Sequence, residues 1–180
     1  MSPNRMRKLL LTAGAGAAVV AIAVGSGPAA AATRATITEP RNDYTLPYLD
    51  SVRATVDVDA AAGHLRVTIA HRGIRPPQEI GWRYYTEGVV LRSGASDSSP
   101  GIQLSYGRQP MNGKTSQALV DGPNGQVRVP VNVVENGSST TYTVNSAALK
   151  TLNPHYLSGW TSDGILGLPA LSDTMPRKRF

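Results

Sequence analysis

The stretch SVRATVDVDAAAGHLRVTIAHRG, Ser51–Gly73, contains two runs in which apolar and polar residues alternate strictly. An apolar residue at every second position is typical of a strand that buries one face. The apolar positions are Val52, Ala54, Val56 and Val58 in the first run, and Leu65, Val67 and Ile69 in the second. The connection DAAAG is short and contains a glycine, so the two runs are predicted to pair as an antiparallel hairpin.

Similar short runs follow along the rest of the chain, separated by polar loops that contain glycine or proline. Pro130 interrupts one of them and predicts an edge strand or a bulge, because proline cannot donate a backbone hydrogen bond. One segment looks helical, with Ser146 as its N-cap and Pro154 beyond its end. Roughly eight strands with frequent turn signals predict an all-β fold, an antiparallel, jelly-roll-like β-sandwich with one short helix near residues 146–152.

The N-terminal segment has the pattern of a signal peptide. Arg5, Arg7 and Lys8 precede an uncharged apolar run, and the alanines before Thr33 fit a small-residue cleavage site. The apolar run has about 17 residues against the roughly 20 of a spanning helix, and a retained membrane anchor is the alternative. We therefore expect a secreted protein with a signal peptide at 1–32, a β-sandwich domain at 33–176 and a basic tail at 177–180.

Composition narrows the class of protein. The chain has no cysteine, which excludes disulfides and thiol chemistry. Of its 18 Lys and Arg residues, three lie in the leader, so 15 remain against 12 Asp and Glu. A net charge near neutrality argues against a nucleic-acid partner. The Ala- and Gly-rich leader favours a bacterial source of high GC content, such as an actinobacterium.

The order of motifs resembles that of a known class of secreted bacterial β-sandwiches. Asp50 precedes a strand and a hairpin, and TYTVNSAALKTLNPHYLSGWTSDG later gives a strand, a short turn and a run containing tryptophan. LSDTMP closes the pattern. Over roughly Asp43–Pro176 the chain resembles the family 9 carbohydrate-binding modules and the DOMON domains. The resemblance implies either a sugar held between exposed aromatic rings, with calcium at acidic loops, or haem held by a Met and a His.

Aromatic residues in GWRYYTEG are the predicted ligand-binding residues. On a strand, Trp82 and Tyr84 share one face and Tyr85 takes the other. Exposed rings of this kind can stack on sugars, so we predict ligand contacts at all three. The alternative is that one face packs in the core and the other against neighbouring strands. Trp160, in the strand-like run Tyr156–Thr161, is predicted to lie in the core.

Metal-binding and catalytic patterns are not evident in the sequence. The histidines are His64, His71 and His155, and none has a partner at metal-ligand spacing. The aspartates around the first strand, Asp43, Asp50, Asp57 and Asp59, match no calcium-loop pattern and are predicted to serve turns and caps. Calcium therefore has no support, and no cofactor is predicted. Without a G-x-S-x-G motif or a defensible carboxylate pair, we expect a protein that is not an enzyme.

The sequence thus predicts a non-catalytic extracellular binding module whose partner is a carbohydrate or cell-wall polymer. The alternative is a protein-interaction module such as an inhibitor of an extracellular protease. In that case the loop RQPMNGKTS would present Met111 and Lys114 to a protein partner.

Overall fold

The computed structural model describes residues 32–39, 46–75, 83–109, 113–122, 124–165 and 170–180. Within these ranges the chain forms eleven β-strands and one short 3₁₀ helix, Ala147–Thr151. The strands are β1 Thr33–Thr38, β2 Ser51–Asp59, β3 His64–His71, β4 Arg83–Arg92, β5 Gly101–Gln109, β6 Gly113–Gly122, β7 Gly125–Val129, β8 Asn132–Asn136, β9 Ser139–Asn145, β10 Tyr156–Ile165 and β11 Leu171–Arg179. No helix in these ranges has the length and apolarity needed to cross a membrane.

The hairpin predicted from Ser51–Gly73 is confirmed by β2 and β3, which pair antiparallel with Val56 opposite Val67. The apolar side chains from Ala54 to Val58 and from Leu65 to Ile69 face the core, whereas Val52 lies at a register shift between Ser51 and Arg53 and does not belong to the core. Gly63 ends the connecting turn with a φ of +70°, a left-handed conformation that favours glycine. A Cβ atom at this position would also lie only 2.5 Å from the carbonyl oxygen of Ser146. Glycine is therefore required here both by backbone conformation and by space.

Two antiparallel sheets pack face to face, which confirms the predicted β-sandwich. The five-stranded sheet has the order β1-β2-β3-β9-β8, and the six-stranded sheet has the order β11-β10-β4-β5-β6-β7. The chain passes from one sheet to the other after β3, after β7 and after β9. The core between the sheets is built from the inward side chains of both, including Leu65, Val67, Leu91, Leu104 and Tyr142.

Pro130 marks one of the passages between the sheets. The predicted hairpin across DGPNG is present, with Val120 of β6 opposite Val127 of β7. The strand expected to continue to Val134 instead ends at Val129 and resumes as β8 in the other sheet. Both β7 and β8 are edge strands, in agreement with the expectation for a chain interrupted by proline.

The short helix predicted near residues 146–152 is confirmed as the 3₁₀ helix. The Ser146 side chain accepts a hydrogen bond from the backbone N–H of Ala148 at 3.2 Å, so Ser146 is the N-cap, as predicted. Leu149 and Leu152 are buried and cover one end of the core. The helix therefore serves as a cover for the core where the chain returns to the six-stranded sheet.

The C-terminal residues form part of the fold rather than the solvated tail expected at 177–180. Strand β11 includes the basic residues and pairs with β10 along its length. Lys178 Nζ lies 2.9 Å from Glu39 Oε1, and the backbone N–H of Phe180 donates to the carbonyl oxygen of His155 at 2.8 Å. The alternation along β11 is interrupted by a register shift between Met175 and Lys178, but pairing with β10 resumes beyond it, so the domain extends to Phe180. The leader predicted at 1–32 lies, apart from Ala32, outside the described residues.

Candidate functional site

Strand β4 determines where the predicted aromatic residues lie. From Tyr84 to Arg92, its odd-numbered side chains point into the core and its even-numbered positions face outward. Tyr84 is half-buried on the outer face, whereas Tyr85 is 6% exposed. Trp82 lies outside the described residues. Of the three predicted ligand-binding residues, the structure therefore shows only Tyr84 at an accessible surface.

Tyr85 belongs to a buried polar network centred on Glu87. Its hydroxyl donates a hydrogen bond to Glu87 Oε2 at 2.8 Å, and the carboxylate is only 1% exposed. The Arg75 guanidinium lies over the Tyr85 ring, 4.4 Å from its centre. A sugar at the protein surface cannot reach a ring enclosed in this way. The prediction that Tyr85 stacks on a ligand is therefore corrected, because its ring is part of the core.

Three further groups bind the Glu87 carboxylate. Arg75 Nη2 lies 2.6 Å and His71 Nε2 lies 2.8 Å from Oε2, and the Tyr142 hydroxyl donates to Oε1 at 2.9 Å. Burial by itself raises the pKa of Glu87, but the hydrogen bond from His71 and the charge of Arg75 outweigh it and lower the pKa to about 2. Glu87 is therefore a carboxylate at neutral pH, with its two oxygens shared among four partners.

The network extends from Glu87 toward the surface through Arg75. Arg75 Nη1 donates to Glu135 Oε1 at 2.9 Å, and the Tyr106 hydroxyl donates to Glu135 Oε2 at 3.0 Å. Lys114, whose side chain is 67% exposed, lies 3.6 Å from Glu135 Oε2. Lys114 thus belongs to strand β6 and to this ion-pair cluster, whereas Met111, its partner in the protease-inhibitor interpretation, lies outside the described residues.

The chemistry of this network is structural. Burial raises the pKa values of Tyr85 and Tyr142, so both remain protonated donors. The carboxylate of Glu87 has a depressed pKa and is surrounded by donors, so it is poorly suited to accept a proton from a substrate. The network joins β3 and β9 of one sheet to β4 of the other. The network therefore connects the two layers of the sandwich through buried polar contacts.

Among the described residues of the outer face of the six-stranded sheet, two aromatic rings each lie over a glycine of the neighbouring strand. Trp160 on β10 is directly opposite Gly88 on β4, and a Cβ atom at Gly88 would lie 2.2 Å from Trp160 Cη2. Tyr84 on β4 is opposite Gly164 on β10, where a Cβ atom would lie 2.7 Å from Tyr84 Cζ. Each ring thus lies against the sheet and covers the backbone of the glycine on the neighbouring strand. We call this surface, centred on Tyr84 and Trp160, the aromatic face.

The position of Trp160 differs from the sequence prediction. The residue is half-buried on the outer face rather than buried in the core. Its strand neighbours Leu157 and Thr161 are buried and point inward, so alternation places Trp160 on the opposite side of the sheet. The tryptophan that contributes to the candidate site is therefore Trp160, which was not among the predicted ligand-binding residues.

The surroundings of the two rings are polar but uncharged. The outward side chains of the neighbouring strands carry amides and hydroxyls, with small apolar groups between them. They include Thr86 and Val90 from β4, Gln103 and Ser105 from β5, Thr115 and Gln117 from β6, and Ser158 and Ser162 from β10. Amide and hydroxyl groups both donate and accept hydrogen bonds. The middle of the aromatic face, as far as the described residues show, therefore suits a neutral ligand rich in hydroxyl groups.

A polar groove lies at the end of the aromatic face. Its volume is about 570 Å³, and its lining includes Arg92, Asp121, Gln126 and Thr151. Arg92 Nη1 donates to the carbonyl oxygen of Ser99 at 2.7 Å and lies 3.5 Å from Asp121 Oδ2. Three outward positions of β4 are spaced at intervals of roughly 13 Å along the strand: Tyr84, Gly88 beneath Trp160, and Arg92. The rings and the groove therefore follow one line along the strand.

The remaining candidates from the sequence are separated in the structure. His64 and His71 lie on opposite faces of β3, as predicted, and Asp59 Oδ1 accepts a turn hydrogen bond from Ala62 at 2.9 Å. Asp50 is fully buried and pairs with Arg72 Nε at 2.7 Å. Asp43 lies outside the described residues. Within the described ranges, no three His, Asp or Glu side chains are grouped so that they could hold a metal ion.

Comparison of the chain with models of protein families, with curated proteins and with solved structures finds no match. The chemistry of the aromatic face is therefore the basis for assigning a function.

The contact between Gly88 and Trp160 gives a first prediction. Gly88→Ala is expected to lower the free energy of unfolding by about 1–3 kcal/mol, because the new methyl group overlaps the indole and must displace it. Urea unfolding measures this loss. The control is Gly107→Ala on the same face, where the added Cβ would lie 3.1 Å from Thr115 Oγ1 and contact no ring. Equal effects of the two substitutions would contradict the expected role of the indole.

Proposed function

We propose that the protein is a non-catalytic extracellular binding module that holds an uncharged polysaccharide against the aromatic face. The observation that carries this proposal is the pair of rings, Tyr84 and Trp160, that lie against the glycines of neighbouring strands. A ring that lies over a glycine turns its opposite side outward. The C–H face of a sugar ring is apolar and can pack on such an aromatic surface.

The groups around the rings support the same class of ligand. Within the described part of the chain, the side chains of Gln103, Ser105 and Gln117 have no hydrogen-bond partner, and all three point outward. Sugar hydroxyls both donate and accept, as do these amides and hydroxyls. Among the described residues, a strongly charged polymer would find no charged partner in the middle of this surface. A neutral glycan therefore matches the aromatic face better than an acidic one does.

The placement of the rings on inner strands favours binding by a preformed surface. Strands β4 and β10 both have neighbours on either side in the six-stranded sheet. Each ring is further restricted by the backbone of the glycine beneath it. Side chains fixed before binding lose little conformational entropy when a ligand arrives. The signal-peptide pattern of residues 1–32 supports an extracellular location for this activity.

Retention on insoluble polysaccharides tests the proposal. The protein from Thr33 to Phe180 is incubated with cellulose, chitin, xylan and purified cell wall, as wild type and as Trp160→Ala. We expect the substitution to weaken retention on a neutral polymer by about tenfold, because burial of apolar surface between one sugar ring and the indole contributes on the order of 1–2 kcal/mol. Tyr84→Ala is expected to act in the same direction.

Two variants serve as controls for this experiment. Leu119→Ala removes an apolar side chain from the same sheet face on β6, two strands away from β4. Tyr85→Phe keeps a ring that lies in the core and removes only its hydrogen bond to Glu87. Both are expected to retain wild-type binding. No retention of the wild type on any polymer, or equal retention of Trp160→Ala, would overturn the proposal.

A further inference from the structure

The outer face of the opposite, five-stranded sheet carries a row of alternating charges. Arg34 of β1 is directly opposite Asp57 of β2, which is directly opposite Arg66 of β3. Directly opposed residues of antiparallel strands point to the same face. Because neighbouring strands lie about 4.8 Å apart, the two arginines begin about 10 Å apart with Asp57 between them.

A shallow cavity of about 240 Å³ lies over this row. It is lined by the three charged residues together with Thr55 and Thr68. Both arginines are exposed, and within the described chain neither guanidinium forms an ion pair or a hydrogen bond. The cavity would hold about eight water molecules at 30 Å³ each, which is a space suited to one sugar ring. The site thus offers two available cations and one carboxylate around a volume of that size.

The two arginines and the aspartate that line the cavity favour some anionic ligands over others. A guanidinium binds a carboxylate through two parallel hydrogen bonds, and two guanidiniums around one cavity favour an anion. Asp57 lies between them, accepts hydrogen bonds from hydroxyl groups and repels a doubly charged anion such as phosphate. The local charge of +1 matches a ligand with a single negative charge. The ligand expected from this arrangement carries one carboxylate together with several hydroxyl groups.

We propose that the cavity lined by Arg34, Asp57 and Arg66 is a second binding site, which takes a carboxylate-bearing sugar such as a hexuronic acid residue. The two arginines bind the carboxylate, and Asp57 accepts hydrogen bonds from the sugar hydroxyls. The site lies on the other sheet from the aromatic face and shares no residue with it. The second site can therefore be tested independently of whether the aromatic face binds a neutral polysaccharide.

Calorimetric titration with a galacturonic acid trimer tests the second site. Arg34→Ala and Arg66→Ala are each expected to weaken binding about tenfold, since a charge-assisted hydrogen bond is lost in each. The matched control is Arg53→Ala, which removes an arginine from the same sheet face. Arg53 lies in a different row, opposite Thr38 and Ala70, and does not line the cavity. We expect Arg53→Ala to bind as the wild type does.

A second ligand and a second variant separate a sugar-acid site from a general anion site. Inorganic phosphate is expected to bind at least tenfold more weakly than the trimer, and Asp57→Asn is expected to reduce this preference severalfold. Trp160→Ala is expected to leave trimer binding unchanged even if it abolishes retention on neutral polymers. The proposal is overturned if the trimer does not bind at millimolar concentration, if phosphate binds as well, or if Arg53→Ala weakens binding as much as Arg66→Ala.

Discussion

Replacing Glu87 by alanine is expected to lower the free energy of unfolding by about 3–5 kcal/mol. The carboxylate is 1% exposed and accepts from Arg75, His71, Tyr85 and Tyr142. Its removal leaves these donors without their shared acceptor inside the protein, and each buried group then loses the solvation it would have in water. Equilibrium unfolding in urea, followed by circular dichroism, measures the loss.

Two variants distinguish the loss of this network from a general sensitivity of the fold. Glu87→Gln keeps an acceptor oxygen and the side-chain volume, so we expect a smaller loss than with alanine. Glu135→Ala removes a carboxylate that is 13% exposed as a side chain and lies at the outer end of the same network. Water can replace part of its contacts, and we expect a smaller loss there as well. A change below about 1 kcal/mol in Glu87→Ala would show that the network does not stabilise the fold.

Acidification is expected to remove about 3 kcal/mol of stability through Glu87 alone. The pKa of its carboxyl is about 2 in the folded protein, against 4.5 for the free group. Between these values the unfolded chain binds the proton and the folded protein does not, so protons favour unfolding. The stabilisation is fully present above pH 4.5 and is lost as the pH falls toward 2. Each pKa unit of difference corresponds to about 1.4 kcal/mol.

Urea unfolding at several values between pH 6 and pH 2 measures this dependence. Glu87→Gln has no proton to bind at this position, so its stability should fall less steeply through the same interval. Some slope remains in the variant, because Arg75 and other groups also lower the pKa of Glu135. Parallel curves for the wild type and Glu87→Gln would show that Glu87 does not determine the acid sensitivity.

Local patterns in the sequence predict much of the fold. The alternation of Ser51–Gly73, the break at Pro130 and the capping role of Ser146 all depend on residues close together in the chain, and all three are found in the structure. The charge of the basic residues after Pro176 suggests a solvated tail, whereas these residues lie in β11. Their pairing partner is β10, and pairing of that kind is not visible in the composition of a short segment.

The candidate sites depend on contacts between residues far apart in the chain, and the alternation of apolar and polar residues does not predict such contacts. The alternation in YYTEGVVL did contain one signal, because Glu87 shares its phase with Tyr85, Val89 and Leu91 and so falls on the buried side. That signal marks Tyr85 as inward and Glu87 as a buried charge in need of partners. The partners His71 and Tyr142 belong to the other sheet, and only the assembled sandwich brings them to Glu87. Similarly, Trp160 meets Gly88 only through the register of β10 on β4.

The reciprocal contacts of Trp160 with Gly88 and of Tyr84 with Gly164 also bear on how the chain selects its strand pairing. A slip of β10 along β4 by two residues would keep every side chain on its proper face, so hydrophobic patterning alone does not oppose it. The slip would place the indole opposite Thr86 or Val90, whose side chains occupy the space that Gly88 leaves empty. The two glycines therefore make the native alignment the one that fits both rings. The same atoms that form the proposed binding surface would then discriminate against misaligned folding products.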